Sequence, residues 1–365
     1  MLRPKVWEIR FPSMGVIRSR ANERVAAAVS YPTPWAVNVR LEDSLTKRLR
    51  GGSWTAIEAG ARPAEIIYRD RLLTFDENAI HASRQGAHST YDYKTDLSDT
   101  TRATVFQLSE AGEVGEDVVA LVPHKDSFLL GFTAGETWVQ HGDPLTGSRR
   151  NVSREMGIIG ADAWCENHGT VYFLSSHGLY SVGVDGGGLK ALSEDKIPEE
   201  LTGIEDADCT LTYNHADRGV YIHLSSGVSW FYDTDRDGFW PFDASTTDSY
   251  LLLGPLRIGE PNQLGLIQTL VGIMAAGGAA VRWRIVPGAT AEEAASNGKA
   301  AITAALAGDD FDEYVAESNG VWEAGRSHTS WPRVRAAWVA ILLSSEGEWA
   351  YEAVNLETVL FGRHR

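Results

Sequence analysis

The sequence predicts a mainly β protein: a β-propeller of about four to six blades, with an N-terminal basic arm and a C-terminal β-rich module containing one helix. Three observations carry this reading. Short aromatic and β-branched runs recur along the chain, each bounded by polar or glycine turns, as strands joined by tight hairpins require. The runs form strand-turn-strand-turn-strand units whose middle strands open near residues 72, 128, 171 and 220. That recurrence matches propeller blades, which repeat at roughly 40–50 residues. Finally, 36 Gly, 12 Trp, 12 Tyr and 11 Phe favour a turn-rich β protein over a helical one.

Residues 1–62 carry the strand-like runs KVWEIRF, RVAAAVSY and WAVNVRL, interrupted by Pro12, Pro32 and Pro34. Within them, Ala36 to Asp43 reads as a strand, followed by a basic turn and a second strand over Leu49 to Trp54. This region holds 11 Lys and Arg against 5 Asp and Glu, whereas the remainder holds 22 against 44. A basic arm before an acidic body suggests docking through Arg3, Lys5, Arg10, Arg18, Arg20 and Arg24 to an acidic neighbour or to phosphate. An ordinary solvated surface accounts for the same charges.

Residues 63–250 are the repeats. The first unit reads AEIIY, Arg69-Asp70-Arg71, LLTF, Asp76-Glu77-Asn78, AIHAS. The second reads VVALV, a turn through Asp126, FLLGF, a turn through Gly135, TWVQ. The third reads IIGADAW, Glu166-Asn167-His168-Gly169, VYFLS, Ser176-His177-Gly178, LYSVGV. The fourth reads CTLTY, a turn through His215 and Gly219, VYIHL, Ser225-Ser226-Gly227, VSWFYD. One sheet of this kind cannot bury both faces, so neighbouring sheets must cover it.

From residue 251 the pattern changes. LGLIQTLVGIMAAGGAAV, 264 to 281, is barely long enough for a bilayer and reads better as a buried strand or helix. VRWRIVPG is a strand, and a helix opens after it with Thr290 as N-cap and Glu293 at the capping-box position. Two strands close the sequence, RVRAAWVAILL and, after Ser345-Glu346-Gly347, EWAYEAVNLETVLF.

Candidate chemistry is sparse. Cys165-x2-His168 and Cys209-x5-His215 make a Cys2His2 zinc set on paper, but His124, His168 and His215 fall in the same turn of successive repeats, which a ring should spread apart. Asp233, Asp235 and Asp237 match the first half of a calcium loop, yet Ala244 stands where a bidentate Glu belongs, so a tight acidic turn is the simpler reading. Asp70, Asp126, Glu166 and Asp217 occupy corresponding turns, and two of them could act as acid and base of a glycosidase. Turn carboxylates also arise for local backbone reasons, and the sialidase Asp box is not matched around Asp235. The residues alone therefore point to no cofactor and to a non-enzymatic chain. The two cysteines form no disulfide framework, and the start lacks a signal-peptide pattern, which predicts folding in a reducing cytosol.

Several runs carry a resemblance: Asn38-Val39-Arg40 with Arg50-Gly51-Gly52, Tyr68 to Leu73 with Ile80 to Ser83, and Val122-Pro123-His124-Lys125-Asp126. Gly157-Ile158-Ile159-Gly160, Val171 to Tyr180, Trp349-Ala350-Tyr351-Glu352 and Gly362-Arg363 continue the series. In this order they resemble the β-propeller virion proteins of tailed bacteriophages, the tail-nozzle, tail-tubular and packaged-DNA-stabilisation proteins. The resemblance covers residues 36 to 250 best. It implies a structural virion component: a homo-oligomeric, hexameric ring in the tail or head-tail connector, below the portal or adaptor ring. It further implies contact with tail fibre or spike proteins, a channel for packaged DNA, and assembly in the host cytoplasm. Relatives in that family are often longer, which leaves the station in the tail open. A carbohydrate-binding or glycoside-hydrolysing propeller is the alternative, and an interaction scaffold outside phage a third.

Overall fold

The computed structural model describes residues 65–91, 93, 98–110, 113–183, 186, 188–227, 229–242, 248–260, 263–309, 312–325 and 328–363, with four strands nearer the start. Those four are β1 (Lys5–Arg10), β2 (Trp35–Val37), β3 (Val39–Glu42) and β4 (Leu45–Arg48). Then follow β5 (Glu65–Tyr68), β6 (Arg71–Asp76), β7 (Ala79–Ala82), β8 (Thr104–Gln107), β9 (Val118–His124), β10 (Phe128–Thr133), β11 (Thr137–His141) and β12 (Ser148–Ser153). Next come β13 (Trp164–Asn167), β14 (Thr170–Ser175), β15 (Gly178–Val182), β16 (Leu189–Ala191), the short helix α1 (Pro198–Leu201), β17 (Thr210–Asn214) and β18 (Gly219–His223). The remainder is β19 (Ser229–Asp233), β20 (Gly238–Phe242), β21 (Ser249–Arg257), β22 (Gln263–Met274), β23 (Val281–Gly288), α2 (Ala291–Ala307), β24 (Asn319–Trp322), β25 (His328–Ser330), β26 (Arg335–Ala336), β27 (Trp338–Ser345) and β28 (Ala350–Arg363).

The protein is mainly β, with the repeated four-stranded antiparallel meanders of a propeller-like fold. It divides into two compact units, Thr55–Gly227 and Met1–Trp54 with Val228–Arg365. In the first unit the meanders run β5-β6-β7-β8, β9-β10-β11-β12 and β13-β14-β15-β16, and the β17-β18 hairpin follows. Their middle strands open at Arg71, Phe128, Thr170 and Gly219, where the sequence places them, and every residue of β10 is buried. Only sheets covered on both faces need strands apolar on both sides. Tyr68, Leu73, Ile80, Phe106, Leu121, Leu129 and Trp138 form one core across the first two meanders. Phe132 and Phe173, with ring centroids 4.8 Å apart, join the second to the third. Each such side chain, fully buried, contributes about 1.5–3 kcal/mol.

Two local readings differ from the structure. IIGADAW is not a strand: Ala163 N–H donates to Gly160 O in a turn, and the strand begins at Trp164, running through the expected turn at Glu166 and Asn167. Near the N-terminus the second strand of the early hairpin is β4, paired with β3 from Val39↔Arg48 to Glu42↔Leu45. Lys47 and Arg48 are therefore strand residues, while residues 49–54 lie outside those described.

The second unit holds two larger sheets and the β19-β20 hairpin. One sheet runs β2-β21-β27-β23-β24, the other β25-β22-β28-β4-β3, with β1 also on β28 and β26 on β22. Expected divisions at 62 and 250 thus meet a different connectivity, in which the N-terminal strands pair with C-terminal ones. The apolar run from 264 becomes β22 up to Met274, with buried residues alternating along most of it as in a one-sided sheet. Among the described residues no helix is long and apolar enough to cross a membrane. Helix α2 packs Ala301 and Ile302 on Leu252, Val286, Ala340 and Leu342. Thr290 caps it, its hydroxyl accepting from Glu293 N–H at 3.1 Å. The Glu293 carboxylate reaches Ala289 N–H at 2.7 Å, one residue beyond the usual capping-box partner.

Candidate functional site

The turns joining the first two strands of each repeat lie in the Thr55–Gly227 unit and share one backbone feature. Arg69, Asp70, Lys125, His168 and Arg218 adopt left-handed φ angles of 50°, 59°, 50°, 48° and 51°. The turns at 69–70 and 168–169 are two-residue hairpins, which demand this conformation, and the longer turns through Lys125 and Arg218 use it once each. Charged and histidine side chains are therefore held outward at successive turns.

These turns engage one another. Arg69 N–H donates to Asp126 Oδ1 at 2.9 Å. His168 and His215, both exposed, meet edge to face with centroids 6.0 Å apart. That corrects the expectation that the repeat spreads these histidines around a ring: turns of adjacent sheets are close enough to touch. Tyr213 packs against His215 at 5.0 Å and stacks on Tyr172 at 6.5 Å. Burial, with Tyr213 and then Cys165 adding to it, pushes the Tyr172 phenol up to about 12.

The remaining turn carboxylates have local duties. Asp217 Oδ2 accepts from Asn214 Nδ2 at 2.8 Å and from Tyr221 OH at 3.1 Å, which locks its own hairpin. Asp70 Oδ1 lies 3.4 Å from His88 Nε2, and Glu166 is exposed. The cysteines of the zinc set point inward. Cys165 is buried opposite Tyr172, and Cys209 is fully buried with its thiol pushed up to about 12 by burial and the nearby Asp206. A metal-binding thiolate needs the opposite shift. Among the described residues no three His, Cys, Asp or Glu side chains are placed to hold a metal together.

In the other unit, Asp233, Asp235 and Asp237 form the hairpin between β19 and β20. Asp233 Oδ1 accepts from the backbone N–H groups of Asp235 and Arg236, and Asp237 Oδ1 from Tyr232 OH. The buried Asp233 also lies 3.5 Å from Arg236 Nη1. These bonds give the triplet a turn-forming role. Of the arm residues, Lys5 and Arg10 lie on β1, opposite Thr358 and Ala353 of β28; Arg3, Arg18, Arg20 and Arg24 lie outside the described residues.

Sequence reasoning missed Arg71. It is fully buried: Nε pairs with Asp143 Oδ2 at 2.8 Å, Nη1 donates to Ser83 O and Arg102 O, and Nη2 to Thr100 O. Standing in Arg69-Asp70-Arg71, it looks like one more solvated turn residue. The only available signal was its place at the start of an alternating strand.

No protein family matches the sequence, and no curated protein does. Solved structures show partial likeness. A B. thetaiotaomicron extracellular domain described as part of a hybrid two component system is 9% identical, with a TM-score of 0.32. The match covers 52% of this chain and 25% of that one, so the chain spans about a quarter of that relative. Saccharomyces cerevisiae Sqt1 is 11% identical, with a TM-score of 0.30, over 50% of this chain and 55% of Sqt1. Regucalcin of Agrobacterium tumefaciens, a calcium-binding protein, is 14% identical, with a TM-score of 0.20, over 52% and 79%.

Proposed function

We propose that this chain is a non-enzymatic virion component of a tailed phage: a ring-forming tail or head-to-tail connector protein that lines or closes the DNA channel and retains packaged DNA. One observation carries the reading. Three motifs of the resemblance, Tyr68 to Leu73, Val122 to Asp126 and Gly157 to Gly160, fall where successive sheets of the Thr55–Gly227 unit meet. Tyr68 to Leu73 forms the hairpin whose Arg69 binds Asp126 of the next motif. Gly157 and Gly160 sit where a Cβ would lie 2.2 Å from Thr133 O and 2.3 Å from Ala207 O, so only glycine allows these close approaches. The acidic balance of residues 63–365 suits a channel wall, because a negative surface holds DNA off and lets it slide. The partners on this reading are further copies of the chain, a portal or adaptor ring, and tail fibre or spike proteins.

The test is negative-stain imaging with light scattering of the purified chain, alone and with a portal-adaptor complex. Rings in either sample are expected; a monomer in both removes the proposal. A carbohydrate-binding propeller is the second reading, favoured by the stacked, half-buried Tyr172 and Tyr213 beside two exposed histidines. Sugar binding in a glycan array that Tyr213→Ala abolishes would establish it.

A further inference from the structure

The zinc set written in the sequence fails at its cysteines, yet the fold brings its two histidines together. His168 opens the two-residue turn between β13 and β14, where Asn167 pairs with Thr170, and its backbone is held at a φ of 48°. His215 opens the turn between β17 and β18, which Asn214 and Gly219 close. The Asn214 side chain fixes that turn, its Oδ1 accepting from Ala216 N–H at 2.8 Å and from Asp217 N–H at 3.2 Å. Leu211 N–H donates to Asp162 O at 3.0 Å, which ties β17 to the chain leading into β13. Both imidazoles therefore project from anchored backbone, with ring centroids 6.0 Å apart and planes inclined at 71°. Both residues are exposed, so solvent ions reach them.

We propose that His168 and His215 bind one divalent transition-metal ion of the zinc, copper or nickel class, which clasps the two turns together. Imidazole nitrogen is a ligand that these ions favour, whereas magnesium and calcium take oxygen. With Zn–N bonds of about 2.0–2.1 Å, two imidazoles on one ion hold their centroids roughly 5–6 Å apart, depending on the angle at the metal. The observed separation lies within that reach. Because χ2 of histidine is broad, exposed rings can each turn a nitrogen toward a common point while the backbone stays in place. Charge favours a cation: the two turns carry Glu166 and Asp217 against Arg218, on a chain that holds 44 acidic and 22 basic residues beyond residue 62. Cys165 and Cys209 are buried and take no part, so water fills the remaining positions and the site is weaker than a four-ligand one. Such a clasp is independent of virion assembly and of sugar binding.

The test is calorimetric titration of ZnCl2 into the full, metal-stripped chain, with MgCl2 as the control. One saturable zinc site and no magnesium binding are expected. His168→Ala and His215→Ala, each with wild-type circular dichroism, should weaken zinc binding at least roughly tenfold, the loss that disturbing even an outer-shell partner of a metal brings. The melting temperature should rise with zinc in the wild type and stay level in both variants, since an ion bound only to the folded state shifts the equilibrium. With one equivalent of CuSO4, electron paramagnetic resonance should report two coordinated nitrogens in the wild type and one in each variant. Absence of saturable zinc binding, or zinc affinity unchanged in either variant, would overturn the proposal. A nitrogen count that neither substitution alters would overturn it equally.

Discussion

Replacing Arg71 by Met keeps the length of the side chain and removes its charge and every donor. The loss strands Asp143, whose side chain is only 16% exposed, and withdraws the partner of the Ser83, Thr100 and Arg102 carbonyls. Breaking a buried ion pair from one side costs about 3–5 kcal/mol, because the remaining charge stays desolvated. Arg71→Lys restores the charge but not the planar fork that reaches an acid and several carbonyls at once, so an intermediate loss is expected. Urea unfolding followed by tryptophan fluorescence reads the total. Hydrogen exchange localises it to residues 98–103, the segment that Arg71 holds together with the Arg84–Asp99 pair. A loss below about 1 kcal/mol, the scale of an exposed pair, with unchanged exchange at 98–103, would refute the view that this residue organises the first two meanders.

Three other outcomes are expected. Cys209, buried and with its thiol raised to about 12, should resist an aromatic disulfide reagent at pH 8 in the native protein and react only after urea is added; prompt native labelling would contradict the burial. Deleting residues 1–10 removes six residues of pairing on β28, so exchange protection at 353–358 should fall. Unchanged protection would show that β1 contributes nothing there. His223 is lowered by burial, so its contribution to stability is complete above its unfolded value near pH 6.5 and is lost as pH falls below it. The stability difference between wild type and His223→Phe should therefore change between about pH 6.5 and pH 5, and a difference independent of pH would exclude the effect.

The middle strands were legible because strands buried on both faces read as apolar runs between turn residues. Fourth strands were not: β12 is Ser148-Arg149-Arg150-Asn151-Val152-Ser153, exposed over its first half, and β16 is a short Leu189-Lys190-Ala191. An edge strand needs few apolar residues, so its composition is that of a loop. IIGADAW misled in the opposite direction, since Ile158 and Ala163 are buried by packing around a turn rather than in a strand. The closing runs are strands, yet β27 joins β21 and β23 while β28 joins β22, β1 and β4. Nothing in their local pattern names a partner hundreds of residues away. At the candidate site the turn positions of His168 and His215 were readable and their proximity was not, because the contact depends on how tightly adjacent sheets pack.

Pairing of Lys5 with Thr358 has a consequence for synthesis. At about 5–20 residues per second, the ribosome needs on the order of tens of seconds between making the two strands. During that time β1 has no β28 to pair with, while residues 65–223 can already emerge and collapse onto their local meanders. The nascent chain should therefore pass through a stage in which its middle is folded and its beginning waits. In that interval KVWEIR, with apolar Val6, Trp7 and Ile9, is exposed to non-native pairing.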